Sequence, residues 1–228
     1  MLLAAGNGTR VGSDTNKVLL PLAGRRVLNW SLTWTGELAW CVRTVVVLRE
    51  QDHDAVQSAL RREAGGRSVE LVAGGASRHG SELNALRLLA PQIRSGQIDV
   101  VVVHDAARPL TGPRMFDEVT QAAHILGGAL PVLTQDGLVA ADADVTVGHD
   151  RLVTVQTPQA FRALPLLQAY EAAAAENFTG TDTAACMERY SRTVVRGLPG
   201  AATNIKVTFP EDLFLAESIL AMNSYRMP

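Results

Sequence analysis

The chain predicts an α/β fold, a mostly parallel sheet with helices on both faces and a protruding β-hairpin arm. Three observations carry this. Short apolar runs alternate with stretches of helical periodicity from residue 2 to residue 132. The central runs, Thr44 to Leu48 (TVVVL) and Asp99 to Val103 (DVVVV), are continuously apolar, as in strands covered on both sides. Loops rich in glycine or charge follow strands, and a parallel sheet gathers such loops on one edge. The expected architecture is Rossmann-like.

The elements follow in order. Leu2 to Ala5 reads as a buried strand that breaks into Gly6-Asn7-Gly8. Val18 to Leu22 is apolar, and Ala23-Gly24 makes a turn. Arg26 to Leu38 is compatible with a helix buried on more than one side. Asp52 to Glu63 carries Ala55, Val56, Ala59 and Leu60 at helical spacing. Ser68 to Val72 is a strand broken by Gly74-Gly75. Ser81 is expected to cap a helix ending near Pro91. Pro113 to Leu126 is helical, with proline suited to its first turn, and Gly128 to Val132 is a fifth strand. The rhythm changes at Leu133, where Gly137 to Val147 alternates loosely, as a hairpin arm leaving the domain would. Thr154 to Phe161 reads as a polar connector. Ala163 to Glu176 and Asp182 to Tyr190 are helices, Thr193 to Val195 a strand, and Glu211 to Met222 a closing helix behind Pro210. The organisation is one domain over residues 1–228, with the arm at about 133–152.

Composition narrows the function. The chain is 228 residues long and 47% hydrophobic but only 5% aromatic, so alanine, valine and leucine must fill most of a sizeable core. A net charge of −2 with scattered basic residues argues against a nucleic-acid partner. No apolar run reaches membrane-spanning length, and the start lacks the basic region of a signal peptide. Cys41 and Cys186 sit in apolar contexts, as reduced core thiols do. The expected location is cytoplasmic.

Four stretches carry chemistry. The loop after the first strand combines Gly6 and Gly8 with Arg10 and Lys17, a backbone anion cradle that two cations can close over. It matches neither G-x-G-x-x-G nor a Walker loop, and an ordinary glycine turn with solvated cations fits the loop taken alone. His104 to Pro109 (HDAARP) follows the most hydrophobic strand. There Asp105 suits a metal or a substrate hydroxyl and Arg108 a phosphate, whereas the plainer reading is a turn cap paired with an arginine. His104 reads as a structural donor. Gly74 to Ser81 (GGASRHGS) has a backbone able to read a base and a hydroxyl at Ser81, and is equally a turn with a helix cap. Asn204 to Thr208 (NIKVT) sets Lys206 on one face of a short strand, as a phosphate ligand if that face is the cleft and solvated if it is not. Thr157 is a candidate hydroxyl ligand.

Taken together, L-A-A-G-x-G-x-R with a following lysine, G-G-x-x-R-x-x-S, H-D-A-A-R-P, Q-T-P-Q-x-F, T-D-x-A and N-I-K-V-T-x-P-E-D-L occur in this order over nearly the whole chain. They resemble the 2-C-methyl-D-erythritol 4-phosphate cytidylyltransferase family and its ribitol-5-phosphate relative. The resemblance implies a fold of nucleotidyltransferase type and attack of a sugar-alcohol phosphate on the α-phosphorus of CTP, with pyrophosphate leaving. It implies charge stabilisation by Arg10 and Lys17, helped by Mg²⁺ held mainly by the triphosphate with Asp105 as a possible ligand. Asp105, Arg108 and Lys206 would face the substrate. Gly75, Ala76 and Ser81 would hold cytosine and ribose above Ala4, Ala5 and Gly6. It also implies a homodimer whose arm reaches the neighbour's substrate site.

The chain departs from that pattern in places. Asn16 stands where the family usually has proline before the motif lysine, which predicts a less fixed Lys17 loop. Ala76 replaces an acidic residue. Thr134-Gln135 stands for an Asp-Thr pair, the arginine of the returning arm falls at His149 with Arg151 close by, and Phe209 replaces a polar residue near Lys206. The triphosphate side is intact and the arm is altered. The acceptor expected by default is therefore methylerythritol phosphate. Ribitol phosphate or another polyol phosphate is the first alternative, and a CTP-binding paralogue with weak or no transfer the second.

Overall fold

The computed structural model describes residues 1–6, 16–63, 68–135 and 152–224. Gly8, Arg10, His149, Arg151 and most of the expected arm lie outside the described residues.

The sheet is built from β1 (Leu2–Leu3), β4 (Thr44–Leu48), β5 (Val69–Ala73), β6 (Val100–Asp105), β7 (Gly127–Thr134), β8 (Val153–Val155), β9 (Gln159–Arg162) and β10 (Val194–Pro199). Its order is β10-β7-β9-β6-β1-β4-β5, with β8 paired to β7. β6, β1, β4 and β5 are mutually parallel, with Leu3 level with both Val47 and Asp105 and Leu48 level with Ala73. The loops after β1, β5 and β6 therefore open on one edge, as the alternation of elements requires.

Side chains alternate across the sheet with the strand period of two. Val45, Val47, Val101 and Val103 pack under α3 (Arg78–Arg94), α5 (Ala163–Ala175) and α6 (Thr183–Tyr190). Leu2, Ala4, Val46 and Leu48 pack under α1 (Val27–Gly36) and α2 (His53–Glu63). Ala129 and Ala160 meet Val119 and Ala123 of α4 (Gly112–Leu126). The antiparallel pair β2 (Pro21–Leu22) and β3 (Arg25–Arg26) closes on the Ala23-Gly24 turn, where both residues have positive φ. That geometry matches the twist of a two-residue hairpin. The last helix, α7 (Pro210–Ser224), begins where Asp212 accepts the Thr208 and Phe209 amides.

Four expectations need correction. Residues 154–161 are no mere connector: β8 doubles back on β7, and β9 inserts antiparallel between β6 and β7. Helix α3 is capped by Ser77, whose hydroxyl accepts the Gly80 amide, so Ser81 lies inside its first turns. It also runs through Pro91 to Arg94, because the carbonyl of Arg87 that proline leaves unpaired is on an exposed turn where water can serve it. Residues 204–208 form no strand and do not join the sheet; the Val207 amide donates to the Ala107 carbonyl just beyond β6 at 2.8 Å, and Lys206 reaches Asp105 at the end of β6.

β7 and β8 form an antiparallel stem on either side of the undescribed residues 136–151. Val132 to Thr134 pair antiparallel with Val153 to Val155, and the Gln135 amide reaches the Leu152 carbonyl at 3.0 Å. Leu152, Val153 and Val155 of this stem are exposed. No helix among the described residues is long and apolar enough to cross a membrane.

Candidate active site

A polar cleft lies on the carboxyl edge of the parallel strands. Its floor is Leu3 at the end of β1 and the small residues Ala4, Ala5 and Gly6 that follow. Gly75, Ala76, Ser77, Arg78 and Ser81 form one wall. Asn16 and Lys17 form another, and Asp105, Ala107, Lys206 and Thr208 close the third side.

The glycine wall needs its glycines. A Cβ on Gly74 would stand 2.6 Å from Ala5 Cβ, and one on Gly75 would stand 2.7–3.0 Å from backbone atoms of Gly80. Gly75 thus lets the loop fold flat onto the first turn of α3. Ser81 fastens it there: its hydroxyl accepts the Gly75 amide at 3.1 Å and donates to the Ser77 carbonyl at 2.9 Å. The positive end of α3 faces the cleft at Ser77 and Arg78, as an anion site requires.

Asp105, at the end of β6, is almost fully buried and sits between two cations. Arg78 Nη1 binds its Oδ1, and Lys206 Nζ lies 2.7 Å from its Oδ2. Burial alone would push this carboxyl up, but Arg78 and Lys206 together hold it well below the usual carboxylate range. The question left open for Lys206 is resolved: its face is the cleft.

Lys17 is placed by the residue before it. Asn16 is buried; its Nδ2 donates to the Ala4 carbonyl at 2.8 Å and to Asp52 Oδ2 at 2.7 Å, and its Oδ1 accepts the Val18 amide at 3.3 Å. Asp52 is held in turn by the Arg49 fork at 2.7 and 2.9 Å. Asn16 itself is thus held, while residues 7–15 of the expected loop lie outside the described residues. Side-chain hydrogen bonds supply the constraint that a proline ring would.

His104 is buried, with Nε2 3.2 Å from the Arg108 carbonyl and Nδ1 3.1 Å from Thr157 Oγ1. A carbonyl can only accept, so Nε2 carries the proton and Nδ1 accepts from Thr157. The same Thr157 oxygen accepts the Asp105 amide at 3.0 Å. Burial pushes the His104 pKa down to about 3, and the ring is neutral. Thr157 thus braces the backbone of Asp105. Arg108 Nη1 donates to the Asn204 carbonyl at 2.6 Å. Asn204, fully buried, also donates to the Thr157 carbonyl at 2.9 Å and accepts from Thr111 at 2.9 Å. This knot holds the segment that delivers Lys206.

Sequence reasoning placed Ala4, Ala5, Gly6, Lys17, Gly75, Ala76, Ser81, Asp105 and Lys206 together, and the structure brings them to one cleft. Gln135 stands apart from it, exposed just past the end of β7. Arg78 was missed as a site residue. Its signal was its place in G-G-x-x-R-x-x-S, one turn before Glu82 on the same helix face.

Among the described residues no group of three or more His, Cys, Asp or Glu could hold a metal, and Asp105 is the carboxylate of the cleft lining. That donor set fits a hard divalent cation carried by phosphate oxygens and water, with one carboxylate to spare.

A crevice beyond the carboxyl ends of parallel strands, with a glycine wall, a helix N-terminus and inward cations, defines a nucleotide-handling α/β protein of the nucleotidyltransferase class. The sequence family model described as 2-C-methyl-D-erythritol 4-phosphate cytidylyltransferase matches residues 1–222. The chain belongs to that family. It is 38% identical over 226 residues to the cytidylyltransferase of that name from Cereibacter sphaeroides, and 34% identical over 225 residues to that of Geobacillus kaustophilus; each match covers 97% of this chain and 96% of the relative. The solved 4-diphosphocytidyl-2C-methyl-D-erythritol synthase of Anaerococcus prevotii superposes with a TM-score of 0.81 at 26% identity, covering 96% of this chain and 94% of that one. The Thermus thermophilus cytidylyltransferase gives 0.69 at 27% identity, covering 96% and 97%.

Proposed function

We propose that this chain transfers the cytidylyl group of CTP to 2-C-methyl-D-erythritol 4-phosphate, releasing pyrophosphate. The observation that supports it most is the family match across residues 1–222, joined to a cleft in which Lys17, Arg78 and Lys206 converge. In the reaction an acceptor phosphate oxygen forms a bond to the α-phosphorus of CTP. The bond from that phosphorus to the bridging oxygen breaks, and its electron pair leaves with pyrophosphate.

The chain's own contribution is positioning and electrostatics. Gly75, Ala76 and Ser81 hold the cytidine over Ala4, Ala5 and Gly6. Lys17, with Gly8 and Arg10 of the preceding loop, takes the charge of the triphosphate and of the leaving pyrophosphate. Lys206, released from Asp105, draws the acceptor or transferring phosphate into line, and Asp105 orients the acceptor hydroxyls. Arg108 and Thr157 act behind them as supports. Mg²⁺, when bound by the triphosphate and assisted by Asp105, supplies Lewis-acid neutralisation of phosphate charge.

The reading extends to assembly. The chain is one nucleotidyltransferase domain that works as a homodimer, the arm of one protomer carrying Gln135, His149 and Arg151 to its partner's acceptor site. The exposed apolar stem at Leu152, Val153 and Val155 supports this. Two free cysteines are consistent with a reducing, cytoplasmic setting.

The test is pyrophosphate release with CTP and Mg²⁺, offering methylerythritol phosphate beside ribitol, erythritol and glycerol phosphates. Release with methylerythritol phosphate that Lys17→Ala abolishes supports the proposal. Release only with another acceptor would transfer the assignment to that polyol, with Gln135 and His149 as the residues to examine. Binding of CTP without release from any acceptor would leave a nucleotide-binding paralogue.

A further inference from the structure

Glu82 lies on α3 behind the cleft and touches nothing that could be substrate. It is nevertheless an almost wholly buried carboxylate, 1% exposed. Burying such a group is costly unless charge and hydrogen bonds compensate it. Three partners do so. Arg78 Nε lies 2.9 Å from Glu82 Oε1, one helical turn back, an ion-pair contact without hydrogen-bond alignment. Thr183 Oγ1 of α6 donates to the same oxygen at 3.1 Å, and the Tyr170 hydroxyl of α5 donates to Oε2. Glu82 thus ties two helices of the covering layer to the arginine whose other end grips Asp105.

Acid and base alternate in space, Glu82, Arg78, Asp105, Lys206, with burial pushing the Glu82 carboxyl up and Arg78 opposing it. The partners of Asp105 are unequal. Arg78 is anchored from behind, whereas the Lys206 side chain is 42% exposed and no other bond of its ammonium is seen among the described residues. An incoming phosphate competes for the lysine, and Asp105 keeps the arginine.

We propose that Glu82 is a positioning residue for the transfer reaction: it immobilises the Arg78 guanidinium, so that Asp105 stays oriented and compensated when Lys206 leaves it for a phosphate. This rests on the cytidylyltransferase reading for its kinetic consequence but not for its structural one, and the two are tested separately.

The structural arm uses nitrogen-15-labelled full-length protein without ligand. An immobilised guanidinium gives a resolved Nε–Hε cross-peak, assigned by its loss in Arg78→Lys. Glu82→Gln should broaden or shift that peak while circular dichroism and cooperative melting are retained. An unmoved peak overturns the proposal, whatever the protein's substrate.

The kinetic arm is a double-mutant cycle on pyrophosphate release with CTP, Mg²⁺ and methylerythritol phosphate. Glu82→Gln should lower kcat about tenfold with KM for CTP within about twofold, a loss typical of slight misplacement. Because Glu82 acts through Arg78, the pair Glu82→Gln/Arg78→Gln should be no slower than Arg78→Gln alone. Losses that multiply overturn the proposal, since a merely structural role adds independently. If Glu82→Gln does not fold, Tyr170→Phe and Thr183→Val, which each remove one hydroxyl from Glu82, replace it in both arms. They should perturb the Arg78 cross-peak and lose their kinetic effect in the Arg78→Gln background; failure of both signs overturns the proposal equally. A wild-type enzyme that releases no pyrophosphate refutes the functional reading while the cross-peak still decides the inference.

Discussion

Removing the Asn16 side chain should unfasten Lys17. Asn16→Ala deletes a hydrogen bond to the charged Asp52 oxygen at 2.7 Å, one to the Ala4 carbonyl at 2.8 Å, and a longer cap of the Val18 amide at 3.3 Å. A bond to a charged group contributes ~1.5–3 kcal/mol and a neutral one ~1 kcal/mol. Asp52 keeps its Arg49 fork, so its loss is the lower figure. The sum is about 3 kcal/mol. For a domain of this size that lowers Tm by roughly 6–12 °C, at about 2–4 °C per kcal/mol. Asn16→Pro should be milder. Asn16 has φ −57° and ψ 126°, which proline adopts, and the stiffer unfolded chain returns about 0.4–1 kcal/mol. Asn16→Asp should be worse than alanine, because it sets a second carboxylate against Asp52. Urea unfolding ranks the three, and kcat for pyrophosphate release reports the displacement of Lys17, with about a tenfold loss expected in Asn16→Ala. A Tm change below about 2 °C in Asn16→Ala, or the same stability in alanine, proline and aspartate variants, would refute the reasoning that these bonds replace a proline.

Three further outcomes follow from the same geometry. Gly75→Ala sets a methyl group against the Gly80 backbone, which cannot swing aside as a side chain could; the loop must lift from α3, and CTP affinity measured by calorimetry should fall about tenfold or more. Lys206→Met should lower kcat by about 10²-fold, the scale of one lost charge-stabilising donor, and should shift the acid limb of the kcat profile upward, because one of the two cations holding Asp105 ionised is gone. His104 is buried neutral with a pKa of about 3 against an ordinary 6.5, so the unfolded chain gains a proton near pH 6.5 that the native chain refuses. Stability from this site is complete above pH 6.5 and is lost as pH falls towards 3. His104→Gln should flatten the stability profile between pH 6 and 4 by up to about 1.4 kcal/mol per pH unit, read from urea midpoints.

Much of the sheet was legible because buried parallel strands leave continuous apolar runs, and the site followed because parallel strands carry their loops to one edge. What escaped was non-local. Gln159 to Arg162 has nothing in its own composition to place it between β6 and β7; its partners, Val100 to Val103, are some sixty residues earlier. Ser77 and Ser81 both stand ahead of a helical run, and only the Gly80 amide on Ser77 shows which one caps. Lys206 was restricted to one face by alternation, but the Val207 amide on Ala107 turns that face to the cleft. Glu82 occupies an unremarkable helix position until Tyr170, 88 residues on, covers it. Asn16 looked like a loss because the family's proline constrains through its ring, and the constraint here comes from Asp52, 36 residues away.

These misses share a cause that bears on mechanism. The groups proposed to touch nucleotide lie on short loops whose chemistry is local, so the sequence shows them. The groups that hold those loops still belong to distant elements: Thr157 beneath Asp105, Asn204 beneath Lys206, Asp52 behind Asn16, Glu82 behind Arg78. In a transfer reaction where the protein contributes orientation and charge in place of a covalent step, the second group determines how much of the first group's charge is available at the reacting phosphorus. A cation free to follow solvent stabilises ground state and transition state alike, whereas a fixed one can favour the geometry in which charge moves to the leaving oxygen. The departures at Asn16, Gln135 and His149 therefore differ in kind. The first is compensated within the described fold and should leave triphosphate chemistry intact. Under the proposed homodimer the other two would serve the partner's acceptor site, so substrate range should respond to them while CTP affinity does not.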